Sequence, residues 1–397
     1  MARVCMVVFN NYVMDPRVRR EAEALVERGD SVDCVCLNQG DVKELNGVRL
    51  FYLRDIKYRG TSQLFLLFKY IQFFCYAFLK ISIEHLRNPY DVVQAHTMPD
   101  FLIFAGLIPK LLGAKLVLDL HDLMPELYAA KWGSDRRTWM IAFITWIERC
   151  SIAFADRTIA VSKPHLDALV SHGNPREKFS IVLNVPDHRI FRKRERRKTA
   201  QENFTLFYHG TVPKRAGLDV VLRAMVRVRE EIPGIRLQIR GHGESVEEFR
   251  ALTLDLGLSE NVEWLPVIPI EHLPSSFAKV DAGVVPYTAD AFTRYVLPTK
   301  LLEYAATGVP ALVSRLPAFE AYFDSNMVAY FESGNDLDLA EQILTLYRNP
   351  ERREQLASRA LRFTEMYNWP QQRQVYFGLI DSLTDGRRVL VKVNSKG

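Results

Sequence analysis

The residues best suited to chemistry lie in one stretch, Arg294 to Pro310, which reads RYVLPTKLLEYAATGVP. A proline-broken loop leads into a short helix that carries Lys300 and Glu303 on adjacent turns. The free amides of a helix N-terminus, together with a lysine, suit an anion such as a diphosphate. A carboxylate nearby can accept hydrogen bonds from two vicinal sugar hydroxyls. The stretch therefore predicts a site for a diphosphate joined to a polyol, with an exposed Lys300–Glu303 salt bridge as the simpler alternative.

The elements that must hold this stretch form two successive α/β patterns. At 397 residues the chain is too long for one ordinary core. Buried-type strands alternate with helices from Arg3 onward, and the same pattern restarts at Phe204. We therefore predict two doubly wound α/β domains, with the stretch at a loop-to-helix junction of the second.

Histidines mark several of the predicted strand ends. His96 closes a strand over 91–95, and His121 follows a strand over 115–120. Ligands bind at the carboxyl ends of strands in such sheets, so both are candidate site residues, with structural hydrogen bonding as the alternative. His209 and His242 lie near the equivalent ends in the second half, and we leave them unassigned.

Composition narrows the class of protein. The formal charge of +5 fits an anionic ligand or an anionic membrane surface and is too small to indicate nucleic acid. The five cysteines form no CxxC pair and indicate a reduced, cytoplasmic protein, with Cys34 and Cys36 as core residues rather than metal ligands. The first loop lacks GxGxxG, so no motif supports an NAD site. The chain enters a core strand at once, and we expect no signal peptide.

Two segments are candidates for contact with a membrane. Residues 61–86 are rich in Phe and Tyr, and Lys69, Gln72 and Lys80 fall on one side of the predicted helix. This helix either faces the core or lies in a bilayer interface, and it is too polar for a true span. Residues 189–198, RIFRKRERRK, are either a solvated linker or a segment drawn to anionic lipid head groups.

The motif LPTKLLEYAATGVP resembles the donor-binding signature of retaining glycosyltransferases of family 4, in a subgroup with a PTKLLEY-type motif. The similarity runs along most of the chain, through FNNYVMDPRVRREAEAL, DVVQAHTMPD, LVLDLHDLMPEL, VSKPH, YHGTVPKRAGLD and IRGHGE. It implies the GT-B fold, in which two Rossmann-like domains face each other across a cleft and a C-terminal helix returns to the N-terminal domain. The implied parts are an acceptor-binding domain at 1–187, a basic linker at 188–200, a nucleotide-sugar-binding domain at 201–366, and a return helix and tail at 367–397.

The resemblance also implies residue roles. Glu303 matches the glutamate that holds the ribose hydroxyls, Arg215 matches the residue that grips the diphosphate, and His121 matches the histidine that faces the transferred sugar. The implied catalytic residues are His121, Arg215 and Lys300. The implied nucleotide-sugar-binding residues are Gly210, Thr211, Arg215, Gly241, Pro286, Leu297, Thr299, Lys300 and Glu303. The implied acceptor-side residues are Asn11, Arg17, His96, Asp122 and Glu126.

Two positions depart from the family pattern. Tyr295 stands where the commoner pattern has a first glutamate that touches the donor sugar, which leaves the identity of the sugar open. Thr211 stands where an arginine usually follows the phosphate-loop glycine. The one DxD sequence, Asp336 to Asp338, follows Gly334-Asn335 at a predicted helix start, so we expect capping rather than metal binding.

The function implied is a retaining, metal-independent transfer of a sugar from a UDP- or GDP-linked donor to an acceptor hydroxyl. We expect no cofactor, no metal and no nucleic acid, and a glycan or glycolipid acceptor in bacterial cell-envelope polysaccharide assembly. The enzyme would be cytoplasmic, either free or held peripherally at the inner face of the membrane. The alternatives are a GT-B-fold UDP-sugar 2-epimerase and a catalytically degenerate, transferase-like partner protein.

Overall fold

A computed structural model describes residues 1–37, 42–54, 63–133, 138–193 and 204–394 of the chain. The chain packs into two compact units: Met1–Asn184 together with Gln372–Gly397 forms unit 1, and Val185–Gln371 forms unit 2. The boundaries predicted from the sequence, at 187 and 366, lie near these breaks. Residues 194–200 of the predicted linker, and with them half of the basic run 189–198, lie outside the described residues.

One mostly parallel sheet forms the centre of unit 1. Its strands are β1 (Arg3–Asn11), β2 (Ser31–Leu37), β3 (Glu44–Leu45), β4 (Val48–Leu53), β5 (Val92–His96), β6 (Lys115–Leu120), β7 (Arg157–Ala160) and β8 (Phe179–Ile181). They lie in the order β3-β4-β2-β1-β5-β6-β7-β8, and only the β3–β4 pair is antiparallel. The inner strands are mostly apolar because a parallel sheet covered by helices is buried on both faces.

Helices connect these strands. The α-helices are α1 (Pro16–Glu27), α2 (Gln63–Arg87), α3 (Leu107–Leu111), α4 (Met124–Trp132), α5 (Thr138–Phe154) and α6 (Lys163–Ser171). Short 3-10 helices cover Tyr12–Met14, Asp100–Gly106 and Arg176–Lys178. Between β5 and β6 the chain thus forms a 3-10 segment followed directly by α3.

Unit 2 repeats the design with a fully parallel sheet. Its strands are β9 (Phe204–Thr211), β10 (Ile235–His242), β11 (Val262–Leu265), β12 (Ala282–Val285), β13 (Ala311–Ser314) and β14 (Ala329–Phe331), in the order β11-β10-β9-β12-β13-β14. Its α-helices are α7 (Leu218–Glu231), α8 (Val246–Asp255), α9 (Leu273–Ser276), α10 (Thr299–Thr307), α11 (Pro317–Glu320), α12 (Asp336–Arg348) and α13 (Pro350–Met366). Its 3-10 helices are Lys214–Ala216, Ile270–His272, Phe277–Lys279 and Thr293–Tyr295.

The last helix, α14 (Trp369–Asn394), belongs mostly to unit 1. Its Tyr376, Leu379 and Ile380 are buried in one apolar cluster with residues of β1 and α1. The predicted return of a C-terminal helix to the N-terminal domain is therefore confirmed. Tertiary packing rather than propensity fixes this helix.

The sequence analysis overlooked β3 and β4. The two strands are joined by Asn46-Gly47, and both residues have positive φ values, 50° and 79°. Asn-Gly is a strong signal for a tight hairpin because both residues tolerate the left-handed conformation. The signal was present in the sequence, and the antiparallel edge of unit 1 could have been predicted from it.

Candidate functional site

The side chain of Lys300 lies inside unit 2 at the first turn of α10. It is only 5% exposed, and its Nζ has no hydrogen-bond partner among the described residues. The ammonium instead lies 3.9 Å from the ring centroid of Tyr208 and 5.1 Å from that of Tyr287. Aromatic faces attract a cation but cannot replace a hydrogen bond. Burial lowers the pKa of Lys300 to about 7, against the attraction of Glu303.

Lys300 lies directly against the loop after β9. A Cβ atom at Gly210 would be 3.6 Å from the Nζ atom, so the ammonium faces the backbone at the start of this loop. Gly210 pairs with Gly241 of the neighbouring strand, where a Cβ would be 2.5 Å from the Gly210 carbonyl oxygen. A side chain at Gly241 would therefore collide with the backbone of β9. Thr211 follows this glycine, and Lys300 supplies from α10 a positive charge next to it.

Arg215 lies in the 3-10 helix Lys214–Ala216 that follows the same loop. Its guanidinium carbon is 5.0 Å from the ring centroid of Phe292, and its carbonyl oxygen accepts a hydrogen bond of 3.1 Å from the amide of Thr288. The following Gly217 has φ of 69°, and a Cβ there would be 1.8 Å from the carbonyl oxygen of Pro286. Only glycine fits this turn. The segment that carries Arg215 is thus fixed to the loops after β12.

Glu303 is buried and paired with a histidine that the sequence analysis left unassigned. Glu303 is 7% exposed, and its Oε2 atom lies 2.5 Å from His209 Nε2. Within the described residues no ion pair joins Glu303 to Lys300, so the alternative of an exposed helix salt bridge is wrong. The neighbouring Leu297 is half-buried in the apolar cluster of this unit, and Thr299 begins α10 after Pro298.

Tyr295 ends a loop that internal hydrogen bonds hold in place. The Asp290 carboxylate accepts from the amides of Phe292 and Thr293 at 2.8 and 2.7 Å, and the Thr293 hydroxyl donates to the Thr288 carbonyl at 2.7 Å. The half-buried Tyr295 closes the 3-10 helix Thr293–Tyr295 just before α10. The departure from the family pattern therefore stands at a structurally fixed position.

In unit 1 the two predicted histidines meet at a third residue, Asp119 of β6. The Oδ2 atom of Asp119 lies 3.0 Å from His96 Nδ1 and 3.1 Å from His121 Nε2, and Arg17 bonds to Oδ1. Burial alone would raise the pKa of Asp119, but Arg17 and His121 hold it well below its usual range. His121 is 19% exposed on its side chain, whereas Asp119 and His96 have no exposed surface and Arg17 is almost fully buried. His121 therefore presents the cluster to its surroundings, with the other three behind it.

Sequence reasoning missed Asp119, although a signal was available. A charged residue in the apolar strand LVLDL must be paired when the strand is buried. The His121 ring is also held from its backbone, because its amide donates to the Thr97 hydroxyl at 3.0 Å. A chain of contacts leads further back from Arg17, through Glu21 and Gln94 to the hydroxyl of Tyr376 on α14.

The remaining acceptor-side predictions fall in different surroundings. Asn11 caps the 3-10 helix Tyr12–Met14 by accepting from the Met14 amide at 3.2 Å. The Glu126 Oε1 atom lies 2.8 Å from His172 Nε2, which gives this carboxylate a structural partner. Asp122 is half-buried immediately after His121. The structure thus gathers Arg17, His96 and His121 around Asp119 and gives Asn11 and Glu126 local structural contacts.

Two groups of residues could be considered for a metal ion. The first is His96, Asp119 and His121, which are of suitable residue types and have their side-chain ligand atoms within 4.8 Å of one another. Both oxygens of Asp119 are already bonded, however, and the adjacent Arg17 guanidinium would repel a cation. In the DxD sequence, Asn335 caps α12, Asp338 accepts from the Glu332 amide at 2.7 Å, and Asp336 pairs with Arg227. These donor sets fit ion pairing and capping better than a metal centre.

Two family models match consecutive parts of the chain. The model described as Glycosyltransferase Family 4 matches residues 16–189, and the model described as Glycosyl transferases group 1 matches residues 190–363. Together they cover both units. The predicted resemblance, made from motifs alone, agrees with both models.

Named relatives extend the match. The chain is 25% identical over 322 residues to D-inositol 3-phosphate glycosyltransferase 1 of Catenulispora acidiphila, an alignment that covers 76% of this chain and 75% of that protein. It is 32% identical over 132 residues to a GDP-mannose-dependent alpha-(1-6)-phosphatidylinositol monomannoside mannosyltransferase of Mycolicibacterium smegmatis, over 33% of this chain and 34% of that one.

Solved structures show the same fold at low sequence identity. Sucrose-phosphate synthase of Thermosynechococcus elongatus superposes with a TM-score of 0.78 at 15% identity, covering 97% of this chain and all of that one. HepE of Anabaena, in complex with UDP-glucose, gives a TM-score of 0.73 at 16% identity over 96% of this chain and all of that one. The chain therefore has the GT-B fold and belongs to the family 4 glycosyltransferases, enzymes of the nucleotide-sugar-dependent hexosyltransferase class.

Proposed function

We propose that this chain is a retaining glycosyltransferase that moves a hexosyl group from a nucleoside diphosphate sugar to an acceptor hydroxyl. The observation that carries the proposal is the Lys300 ammonium, buried without a hydrogen-bond partner among the described residues and facing the Gly210 loop. An unpartnered buried cation is costly in free energy. A bound diphosphate would supply the missing partner and would gain most in the transition state, when its leaving oxygen becomes more negative.

The other donor-side residues would complete this arrangement. Arg215 would add a second positive charge, and the first amides of α10, which have no partner within the helix, would add dipoles. Positive side chains and amides at this place would do the work that a metal does in other transferases, so we propose that the reaction needs no metal. Glu303, whose second carboxylate oxygen remains for a ligand, would accept from the ribose hydroxyls.

On the acceptor side, His121 is the residue of the Asp119 cluster that a sugar could reach. Asp119 holds the His121 ring by a hydrogen bond, and His121 directly follows the last residue of β6. We propose that His121 contacts the transferred sugar and that the departing phosphate oxygen takes the proton of the acceptor hydroxyl. The chain then needs no nucleophile of its own, which fits retention of configuration.

The relatives indicate which acceptors and bases deserve priority. Two of them are named for inositol-containing acceptors, and one is named as GDP-mannose-dependent. HepE was solved with UDP-glucose. We propose a UDP- or GDP-linked donor and an acceptor that is a polysaccharide or lipid-linked glycan intermediate, with inositol phosphates as a class to be included in any screen.

We further propose that the enzyme works on the cytoplasmic side of a membrane and attaches to it through unit 1. By length and composition α2 could cross a bilayer, a property that buried helices of water-soluble proteins share. Unlike a buried helix, however, α2 exposes an apolar stripe formed by Leu64, Phe68, Ile71 and Leu79. Such a stripe suits insertion at a bilayer interface.

The lysines of α2 do not lie on this stripe. Lys69 is 6.0 Å from the ring centroid of Phe9, and Lys80 is 3.9 Å from that of Phe51 and pairs with Glu84 at 2.9 Å. Both aromatic residues belong to strands of the central sheet, so the lysines point inward. Attachment through this helix would rest on apolar insertion and on positive charge elsewhere in the chain.

The proposed function is tested first by a thermal-shift and turnover screen with UDP-, GDP- and ADP-linked sugars. We expect one base to raise the melting temperature and its sugar to be transferred to a lipid-linked or polyol acceptor. Conversion of a UDP-sugar without any acceptor would identify the epimerase instead. Weak nucleotide binding with neither hydrolysis nor transfer would identify a degenerate partner protein.

A variant then tests the site. Glu303→Ala should weaken binding of the active nucleoside diphosphate about 30-fold, the value expected for losing hydrogen bonds worth roughly 2 kcal/mol. Glu271→Ala, at an exposed residue of the 3-10 helix Ile270–His272, serves as the matched control. Equal affinity of the two variants, measured by calorimetry, would contradict the assignment of Glu303.

A further inference from the structure

His209 lies at the end of β9 with no role so far assigned to it. It is almost fully buried, and both of its ring nitrogens have partners on α10. Its Nε2 lies 2.5 Å from Glu303 Oε2, and its Nδ1 lies 3.1 Å from the hydroxyl of Tyr304. The imidazole thus joins two consecutive residues of the helix that carries the predicted ribose ligand.

The chemistry of the partners determines how the imidazole is protonated. An ionised Glu303 carboxylate can only accept a hydrogen bond, so His209 Nε2 must be the donor. Burial lowers the pKa of His209 despite the nearby Glu303, so the ring is neutral near pH 7. A neutral ring with its hydrogen on Nε2 keeps a lone pair on Nδ1, which faces the Tyr304 hydroxyl at 3.1 Å. That hydroxyl donates its single hydrogen to the Phe207 carbonyl oxygen at 2.7 Å, and this bond holds the hydroxyl against the edge of the imidazole.

Aromatic rings hold the imidazole plane. The centroids of Phe207, Phe277 and Tyr304 lie 5.7, 5.4 and 5.0 Å from the centroid of His209. The ring therefore has little freedom to turn, and its Nε2–H stays directed at one oxygen of Glu303. Within the described residues, this is the hydrogen bond that the Glu303 carboxylate makes, and it leaves Oε1 for a ligand.

We propose that His209 is a positioning residue for the donor: it orients the carboxylate of Glu303 toward the vicinal hydroxyls of a ribose, and the Tyr304 hydroxyl helps to hold its ring in place. The inference rests on the proposed function, because it assumes that Glu303 binds the ribose. It adds the residue that makes such binding geometrically possible. A carboxylate free to rotate would lose rotational entropy on binding, whereas one already held by an N–H donor does not.

The experiment compares nucleotides that differ only in their ribose hydroxyls. The probes are UDP with 2′,3′-dideoxy-UDP and GDP with 2′,3′-dideoxy-GDP, and calorimetry measures their dissociation constants. We expect the native protein to bind one parent nucleotide about tenfold or more tightly than its dideoxy form. In His209→Phe the parent nucleotide should bind about tenfold more weakly while the dideoxy form is unchanged, so that discrimination disappears.

Two further variants separate positioning from structure. His209→Gln keeps an N–H donor and should restore part of the discrimination, whereas Tyr304→Phe keeps the ring, loses the hydroxyl and should reduce discrimination several-fold. His272→Phe, at an exposed histidine, is the control for the substitution itself. In steady-state assays the KM for the donor should rise more than kcat falls, because binding of the ribose precedes chemistry at the diphosphate.

The outcomes distinguish this inference from the proposed function. If the native protein binds no nucleotide, the proposed function fails, and the inference fails with it. If it binds nucleotide and His209→Phe keeps native discrimination, only the inference is overturned. Circular dichroism establishes whether each variant is folded. If His209→Phe is unfolded, the inference is overturned when Tyr304→Phe and His209→Gln both keep native affinity and native discrimination.

Discussion

Lys300 shows how one residue can be unfavourable for folding and suited to function. Burial lowers the pKa of its ammonium to about 7, and its neighbours are aromatic faces rather than hydrogen-bond acceptors. Buried lysines with such lowered pKa values often mark functional sites, since burial destabilises their charged form and a bound anion would stabilise it. Lys214, three residues after Thr211, is exposed and pairs with Glu248, as an ordinary surface lysine does.

Replacing Lys300 by methionine should therefore stabilise the free protein and damage catalysis. The folded-state pKa lies below the value of 10.5 for an unfolded chain, so the native protein is penalised at pH 7 and the penalty disappears as pH rises toward 10. We expect Lys300→Met to melt at a higher temperature than the native protein near pH 7. This difference should shrink between pH 7 and pH 10 in scanning fluorimetry.

Turnover gives the second half of this prediction. Without the ammonium near the diphosphate, kcat with the active donor should fall about 100-fold, the usual effect of removing one electrostatic contact to a transition state. Lys214→Met is the control and should change neither the melting temperature nor kcat appreciably. A Lys300→Met enzyme with native turnover would remove Lys300 from the site.

At the scale of secondary-structure elements, His172 joins three helices of unit 1. At the end of α6 its Nε2 is 2.8 Å from Glu126 of α4 and its Nδ1 is 2.8 Å from Glu148 of α5. Asn174 donates to the same oxygen of Glu148 at 3.1 Å. Burial opposes a charged ring, but the hydrogen bonds to both glutamates raise the pKa of His172 to about 10. The histidine is therefore a cation that holds two carboxylates together.

This contact should make the stability of unit 1 depend on pH. The folded-state pKa of His172 lies above its unfolded value of 6.5, so the stabilisation is complete below about pH 6.5 and is lost as the pH rises to about 10. His172→Gln should lower the free energy of unfolding by about 3 kcal/mol at pH 6, as expected for breaking a buried pair. The difference from the native protein should decline toward pH 10 in denaturation monitored by circular dichroism.

The matched control is His272→Gln, at an exposed histidine of unit 2. It should leave the unfolding free energy unchanged at both pH values. A His172→Gln protein whose deficit is the same at pH 6 and pH 10 would show that the ring contributes by packing rather than by charge.

At the scale of the whole molecule, the exposed apolar side chains of unit 1 come from neighbouring helices. The 3-10 helix Asp100–Gly106 packs against both α2 and α5. Its Phe101 contacts Phe74 of α2, and its Phe104 contacts Phe154 of α5. Exposed apolar side chains also occur on α5, at Trp139, Phe143 and Trp146, and at the end of α3, at Leu111 and the following Leu112. Sequence analysis pointed to 61–86 and did not identify this contribution from α5.

The exposed thiol of Cys75 in α2 can report membrane attachment through the rate at which it is chemically labelled. Cys75 is exposed in α2, whereas Cys5, Cys34 and Cys36 are buried. In a Cys150→Ser background, anionic phosphatidylglycerol vesicles should slow maleimide labelling of Cys75 several-fold. Neutral phosphatidylcholine vesicles should protect less, and salt should reduce the protection because screening weakens the attraction of a chain with net charge +5.

Substitutions distinguish insertion of the stripe from charge attraction by the helix. Phe68→Ser with Ile71→Ser should abolish protection of Cys75 and cosedimentation with vesicles, while Lys69→Ala should have a smaller effect because Lys69 points inward. Unchanged labelling of Cys75 in the presence of both kinds of vesicle would contradict membrane attachment through this face.

Features that depend on neighbours along the chain could be predicted from the sequence. Apolar runs set the strands, and the alternation of strand and helix set a parallel α/β architecture, because a parallel strand must be followed by a crossover that covers the sheet. The helix that carries Lys300 and Glu303 was predicted from its loop, its Pro298 and the glycine after it. Their local order was enough to indicate an anion and a polyol as ligands.

The pairing of the charged groups, in contrast, became clear from the three-dimensional fold. Glu303 pairs with His209, which is 94 residues away, rather than with Lys300 one turn away, and Asp119 pairs with Arg17 at a separation of 102 residues. These choices follow from strand order, which brings distant strand ends to one edge of a sheet and buries them there. Buried charges must find a partner or be left for a ligand, and no pattern within a single stretch shows which will happen.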